Sequence, residues 1–147
     1  MIPFFVLIVL FALFLGLGQL GLAFFGWWTS LRLALTGMFL LTATAHWGKR
    51  RPDLIRMVPP AFPRPDLIVT ATGILELLGA VGLTVPATER FAAAGLCLLL
   101  LAMFPANVHA ARQGLTIAGK PVPGLIPRTL LQIVFVAATA VVCLARP

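Results

Sequence analysis

Residues 67–88, LIVTATGILELLGAVGLTVPAT, decide the fold: across 22 positions the only charged side chain is Glu76. An apolar run of about 20 residues at 1.5 Å rise spans the ~30 Å hydrocarbon core of a bilayer, so the stretch reads as a membrane helix with one acid inside it. The rest of the chain repeats the pattern. No charge occurs in residues 1–31, 33–48, 91–111 or 129–145. The 147 residues are 61% hydrophobic and 10% charged, and the mean hydropathy is +1.06. A soluble domain would carry about a quarter charged residues, so the solvent for this surface is lipid. These runs predict five transmembrane helices at about 2–25, 29–47, 66–85, 90–110 and 128–145, forming a single all-α membrane domain over residues 1–147. Helices are required because lipid offers no partner for backbone amides, and barrel-type alternation is missing.

The first run has no basic n-region, exceeds the usual length of a signal-peptide core and shows no A-x-A-like site, so it reads as a retained helix. Trp27 and Trp28 then mark an interfacial turn, with Thr29 or Ser30 as the next N-cap. Basic residues set the orientation. Loops 48–65 and 112–127, with the first residue of the last helix, contain Lys49, Arg50, Arg51, Arg56, Arg64, Arg112, Lys120 and Arg128, whereas the opposite side has Arg32, Arg90 and Arg146. The positive-inside rule therefore predicts a multi-pass inner-membrane protein with its N-terminus and both long loops cytoplasmic and its C-terminus outside. The same reading makes the +7 net charge topological and excludes a nucleic-acid partner.

Five prolines in 48–65, GKRRPDLIRMVPPAFPRP, bar a continuous helix. Its apolar Leu54, Ile55, Met57 and Val58 predict a segment lying on or dipping into the membrane surface. Turn residues around Ala118 to Lys120 in loop 112–127 predict either a small hairpin or a segment covering the bundle. Cys97 and Cys143 lie in apolar runs without C-x-x-C spacing, and no H-x-x-x-H or E-x-x-H pattern occurs. Neither a disulfide scaffold nor a metal site is expected, and no haem or other electron carrier is encoded.

Polar residues within apolar spans are the candidate site. Glu76, about ten residues into its helix, must have a partner or a proton. Its i±3 and i±4 neighbours Thr72, Gly73, Gly79 and Ala80 leave room for a helix or a ligand. It reads either as a ligand or proton site or as interhelical glue. His46, Asn107, Arg128 and Gln132 lie near the cytoplasmic ends of their helices and form a candidate mouth, the alternative being simple capping or snorkelling. Pro105 removes the donor to Leu101 C=O, which predicts a kink and a free carbonyl. If both helices are regular, His46 and Glu76 differ by roughly 12 Å along the membrane normal, beyond hydrogen-bond reach, so a His–Glu pair needs a water, a ligand or a shifted helix.

The sequence also carries combined motifs: Ala45-His46-Trp47, Arg56-Met57-Val58-Pro59-Pro60-Ala61-Phe62-Pro63, the Thr72-Gly73 to Gly82-Leu83 run around Glu76, and Met103-Phe104-Pro105-Ala106-Asn107-Val108. Over about residues 29–145 it resembles the DoxX-like family of small bacterial integral membrane proteins. The resemblance implies a four-helix bundle, here extended by one N-terminal helix. It further implies that His46, Glu76 and Asn107 are the polar motif residues, with Met57, Pro59 and Pro60 shaping the loop beneath them. Relatives linked to thiosulfate oxidation and quinone imply a quinone or lipid ligand and a membrane redox partner. Two functions are therefore expected to compete: binding of a hydrophobic or amphipathic molecule in service of a redox-linked complex, or a non-enzymatic assembly or chaperone-like subunit, including a homo-oligomer. A small proton-coupled transporter is a third, weakened by the lack of an inverted repeat.

Overall fold

A computed structural model describes residues 2–145. Its elements are α1 (Ile2–Gln19), α2 (Trp27–Thr44), α3 (Arg51–Met57), α4 (Pro65–Thr84), α5 (Glu89–Arg112), a hairpin of β1 (Thr116–Ile117) and β2 (Lys120–Pro121), and α6 (Leu125–Leu144). Helices α1, α4, α5 and α6 are long and apolar enough to cross a membrane. The 18-residue α2 has the length but includes Arg32, Ser30 and four threonines. Packing accounts for that composition, because α2 is the most enclosed helix. Eight of its 18 residues are buried, among them Ala34, Leu35, Met38 and Phe39, whereas α1 buries only Leu7.

Helices α2, α4, α5 and α6 pack in that order, and α6 returns to touch α2, closing a four-helix ring. Ala34, Leu35, Met38, Ala80, Leu83, Ala93, Leu96 and Val142 fill its interior. Helix α1 stands outside the ring against α2. Gly37 permits the approach: a Cβ there would collide with the Leu10 side chain.

Several boundaries differ from the sequence expectation. Helix α1 stops at Gln19 instead of residue 25, since Gly21 takes φ +95° and turns the chain. Helix α2 starts at Trp27, so both tryptophans lie in its first turn and Gly26 is the N-cap. Ser30 instead donates its hydroxyl to Phe25 C=O at 3.3 Å. At the other end α2 stops at Thr44, short of the expected 47. The 48–65 segment contains a short helix, α3, with Pro52 in its first turn where a missing N–H costs little.

The expected hairpin in the second loop is present, with Thr116 opposite Pro121 and Ile117 opposite Lys120. Its two-residue loop, Ala118-Gly119, has φ of +51° and +74°. Both values are positive, as a type I′ connection demands. Asp53 of α3 accepts the Ala118 N–H at 2.8 Å and also pairs with Arg56, which fastens the hairpin to α3. Both long loops therefore sit together at one end of the ring, with eight basic residues in segments 49–64 and 112–128. Arg32 and Arg90 belong to the other end, and Arg146 lies outside the described residues.

Candidate functional site

The antiparallel α2–α4 seam builds the first polar group. Thr36 Oγ1 approaches Ala80 C=O at 3.4 Å, Thr42 Oγ1 approaches Glu76 Oε2 at 2.9 Å, and the His46 side chain lies over Gly73. In this register the end of α2 meets the middle of α4. The first eight residues of α4 run on about 12 Å past it. His46 Nδ1 therefore comes within 3.9 Å of Glu76 Oε2, which corrects the expected separation along the normal. The two helix ends are at different depths, and His46 folds back in the turn after α2 instead of extending the helix.

Both side chains are 4% exposed. Gly73 makes the site possible, because a Cβ there would be 2.6 Å from His46 Cβ, 2.7 Å from its Cγ and 3.0 Å from Trp47 Cη2. His46 Nδ1 also lies 3.3 Å from Thr42 C=O. A carbonyl only accepts, so Nδ1 carries the proton and Nε2 the lone pair. Below the site, Arg51 donates to His46 C=O at 2.8 Å, Thr70 Oγ1 at 2.8 Å and Asp66 C=O at 3.1 Å, closing the space beneath α2. Trp47 flanks His46, with ring centroids 6.1 Å apart, and is itself exposed on the outer surface of the bundle.

Thr42 is the hinge of this group. Its hydroxyl oxygen is 2.9 Å from Glu76 and 3.0 Å from Phe39 C=O, but it has one proton to donate. With Glu76 ionised, the hydroxyl donates to the carboxylate. With Glu76 protonated, the acid donates to Thr42 Oγ1 and the hydroxyl turns to Phe39 C=O. A rotation of one O–H therefore accommodates both protonation states. Among the described residues no Lys or Arg pairs with Glu76.

The second polar group lies between α5 and α6. Arg128 donates to Asn107 Oδ1, Asn107 Nδ2 donates to Gln132 Oε1 at 3.0 Å, and Gln132 Nε2 donates to Leu100 C=O. The carbonyl engaged is that of Leu100, while the Leu101 carbonyl beside Pro105 has no side-chain donor among the described residues. Leu100 is buried while Leu101 faces outward. No hydrogen bond joins this group to the Glu76 group among the described residues, so His46 belongs with Glu76 and does not share a mouth with Asn107, Arg128 and Gln132. Met57 is buried at the end of α3, Pro59 is half-buried and Pro60 exposed. These three shape the turn into α4 and make no hydrogen bond to either group.

One ion pair escaped the sequence reading. Arg32 pairs with Glu89 and donates Nε to Leu83 C=O at 3.0 Å and Nη2 to Thr84 C=O at 3.2 Å. It caps the last turn of α4 while binding the acid in the first turn of α5, each favourable with its helix dipole. The signal was a lone basic residue in a span and an acid 57 positions later, with nothing local to join them. Among the described residues no three His, Cys, Asp or Glu side chains converge as a metal site would require, and Cys97 and Cys143 are free.

Residues 35–143 match the family model of a domain of unknown function, DUF8561. The chain belongs to that family. The matched span holds most of α2 and the α3 to α6 segments, including every residue of both polar groups. No curated protein and no solved structure matches the chain.

Proposed function

We propose that this protein is a proton-exchanging membrane module that binds a hydrophobic or amphipathic molecule of quinone or lipid type. The observation that carries the reading is Glu76, buried in the α2–α4 seam with a threonine that suits both of its protonation states and, among the described residues, with no Lys or Arg to hold it ionised. An acid held this way can take or release a proton without rearranging helices. His46, whose Nδ1 lies 3.9 Å from Glu76 Oε2 and whose Nε2 carries the lone pair, is the second proton group. The site is one layer from lipid: Trp47 and Ile74, beside its residues, are both exposed on the outer surface. A molecule dissolved in the bilayer reaches it there without crossing water. Quinone reduction consumes protons, and a site of this kind supplies them, while electrons come from a membrane redox partner.

The resemblance to DoxX-like proteins supports the same reading, with the α2, α4, α5 and α6 ring as the common core and α1 as an addition. In this proposal α2 crosses the membrane too, its polar residues screened by neighbouring helices. The result is five spans in the inner membrane with the N-terminus cytoplasmic and the C-terminus outside. An assembly or chaperone-like subunit is the competing reading. Its support is the groove between α4 and α5, where Gly79, Gly82 and Gly95 leave about 460 Å³ open on the outer surface.

Glu76→Gln and Glu76→Ala separate the two. Gln preserves size and the hydrogen bond of the neutral acid, whereas Ala leaves an unfilled, unsatisfied site costing roughly 1–3 kcal/mol. Binding of decylubiquinone to the purified protein is measured between about pH 5.5 and 8.5. The expected result is a folded Glu76→Gln variant whose binding has lost the pH dependence of the parent. A Gln variant that binds with the parental pH profile sinks the proton-site reading and leaves the assembly subunit standing.

A further inference from the structure

We propose that Arg128 is a second, separate binding site, taking the phosphate oxygens of a phosphate ester at the loop-bearing end of α5 and α6. The argument starts from the direction of its hydrogen bonds. A guanidinium only donates, so the Asn107 atom facing it is Oδ1. Asn107 then donates to Gln132, and Gln132 to Leu100 C=O. The run carries donors inward and brings no negative charge back to the guanidinium. Arg128 Nε, moreover, is shut away from solvent without an acceptor.

The carboxylates are committed elsewhere. Asp53 holds Arg56 and the Ala118 N–H, Glu76 holds Thr42, Glu89 holds Arg32, and Asp66 lies exposed in the first turn of α4. Among the described residues no acid pairs with Arg128. A partly buried cation without a counter-charge is costly, and an arginine near a helix end would ordinarily extend to water. Asn107 instead draws this one against α5 through Nη2, and with Nε shut away it is Nη1 that is left to meet an anion brought from outside.

Position indicates what that anion is. Arg128 occupies the first turns of α6, whose Gly124 N-cap supplies no side chain to the free backbone N–H groups. Leu125, one turn before Arg128 on the same helix face, is 37% exposed, so an apolar surface adjoins the charge. Planar guanidinium nitrogens match phosphate oxygens, and an apolar flank matches acyl chains. A phospholipid headgroup and free phosphate share this chemistry. The proposal does not depend on the Glu76 reading, because no hydrogen bond links the two groups.

The test uses the full-length protein in nanodiscs and native mass spectrometry after gentle release. Phosphatidylglycerol and a phosphate-free glycolipid with the same acyl chains are supplied in equal amounts. The wild type should retain the phospholipid about fivefold over the glycolipid. Arg128→Gln should bring that ratio near one, and Arg128→Lys, which keeps charge but loses the planar fork, should fall between. In glycolipid-only nanodiscs, a rise in Tm with inorganic phosphate that Arg128→Gln abolishes supports the site with the soluble anion as its occupant. A wild type with neither lipid preference nor phosphate response overturns the proposal, whether or not any variant folds. So does a preference that survives in Arg128→Gln but disappears when the exposed Lys49, Arg50 and Arg64 are changed together to Gln.

Discussion

Gly73 shows how one missing atom sets the chemistry of the α2–α4 seam. Alanine would ordinarily strengthen a helix by up to about 1 kcal/mol over glycine. Here its Cβ would drive into the His46 ring base at 2.6 to 2.7 Å, so overpacking of about 1–3 kcal/mol outweighs that gain. Gly73→Ala should lower the unfolding temperature in detergent and alter the His46 ring signals by NMR. Gly95→Ala, where a Cβ meets nothing within 4 Å, should raise the unfolding temperature slightly. Equal responses at the two positions would contradict the close approach at Gly73. Asp53 offers a second residue-scale check. The Ala118 N–H, and then Arg56, hold its carboxyl below the ordinary value of 3.8. A depressed value in the folded state means the α3–hairpin contact is complete above the ordinary carboxylate range and is lost as pH falls through the lowered value. The Ala118 amide proton should therefore be flat from neutral pH down to the ordinary carboxylate range and shift only below 3.8; a midpoint at or above that value contradicts the contact.

At the scale of elements, the end of the ring away from the two long loops is held by Arg32, which joins three helices through Glu89 and the last carbonyls of α4. Removing one partner of a largely buried pair costs about 3–5 kcal/mol because the other charge is stranded. Arg32→Gln should therefore destabilise more than its lost hydrogen bonds alone suggest. Arg32→Gln combined with Glu89→Gln should cost clearly less than the sum of the two single changes, measured by chemical unfolding in micelles. Additive losses would mean that the two charges do not act as a pair. The same logic explains why α2 can be the least apolar long helix: its polar groups are answered by α4 and by its own backbone, and little of it meets lipid.

For the whole molecule, the ends of the ring differ in charge. Lys49 lies in the exposed turn between α2 and α3, and Ala87 in the exposed turn between α4 and α5. In a background lacking Cys97 and Cys143, a membrane-impermeant maleimide applied to intact cells should label Ala87→Cys and spare Lys49→Cys. Labelling of Lys49→Cys in sealed cells would reverse the proposed orientation.

The apolar runs, the single acid at Glu76, the proline-broken loop and the Ala118-Gly119 turn were all legible in the sequence. Each is a local property: span length follows from bilayer thickness, and a glycine inside a polar loop marks a turn, although Ala118 at φ +51° shows that the turn type was not legible. What only tertiary structure decided is register. Which depth of α2 faces which depth of α4 depends on how far each helix extends and on glycines that let side chains approach, and neither is written in one segment. That register brought His46 to Glu76, gave Thr42 its two partners and divided the polar residues into two groups. It also joined Arg32 to Glu89 across 57 positions, because a charge finds its partner through packing and not through spacing along the chain.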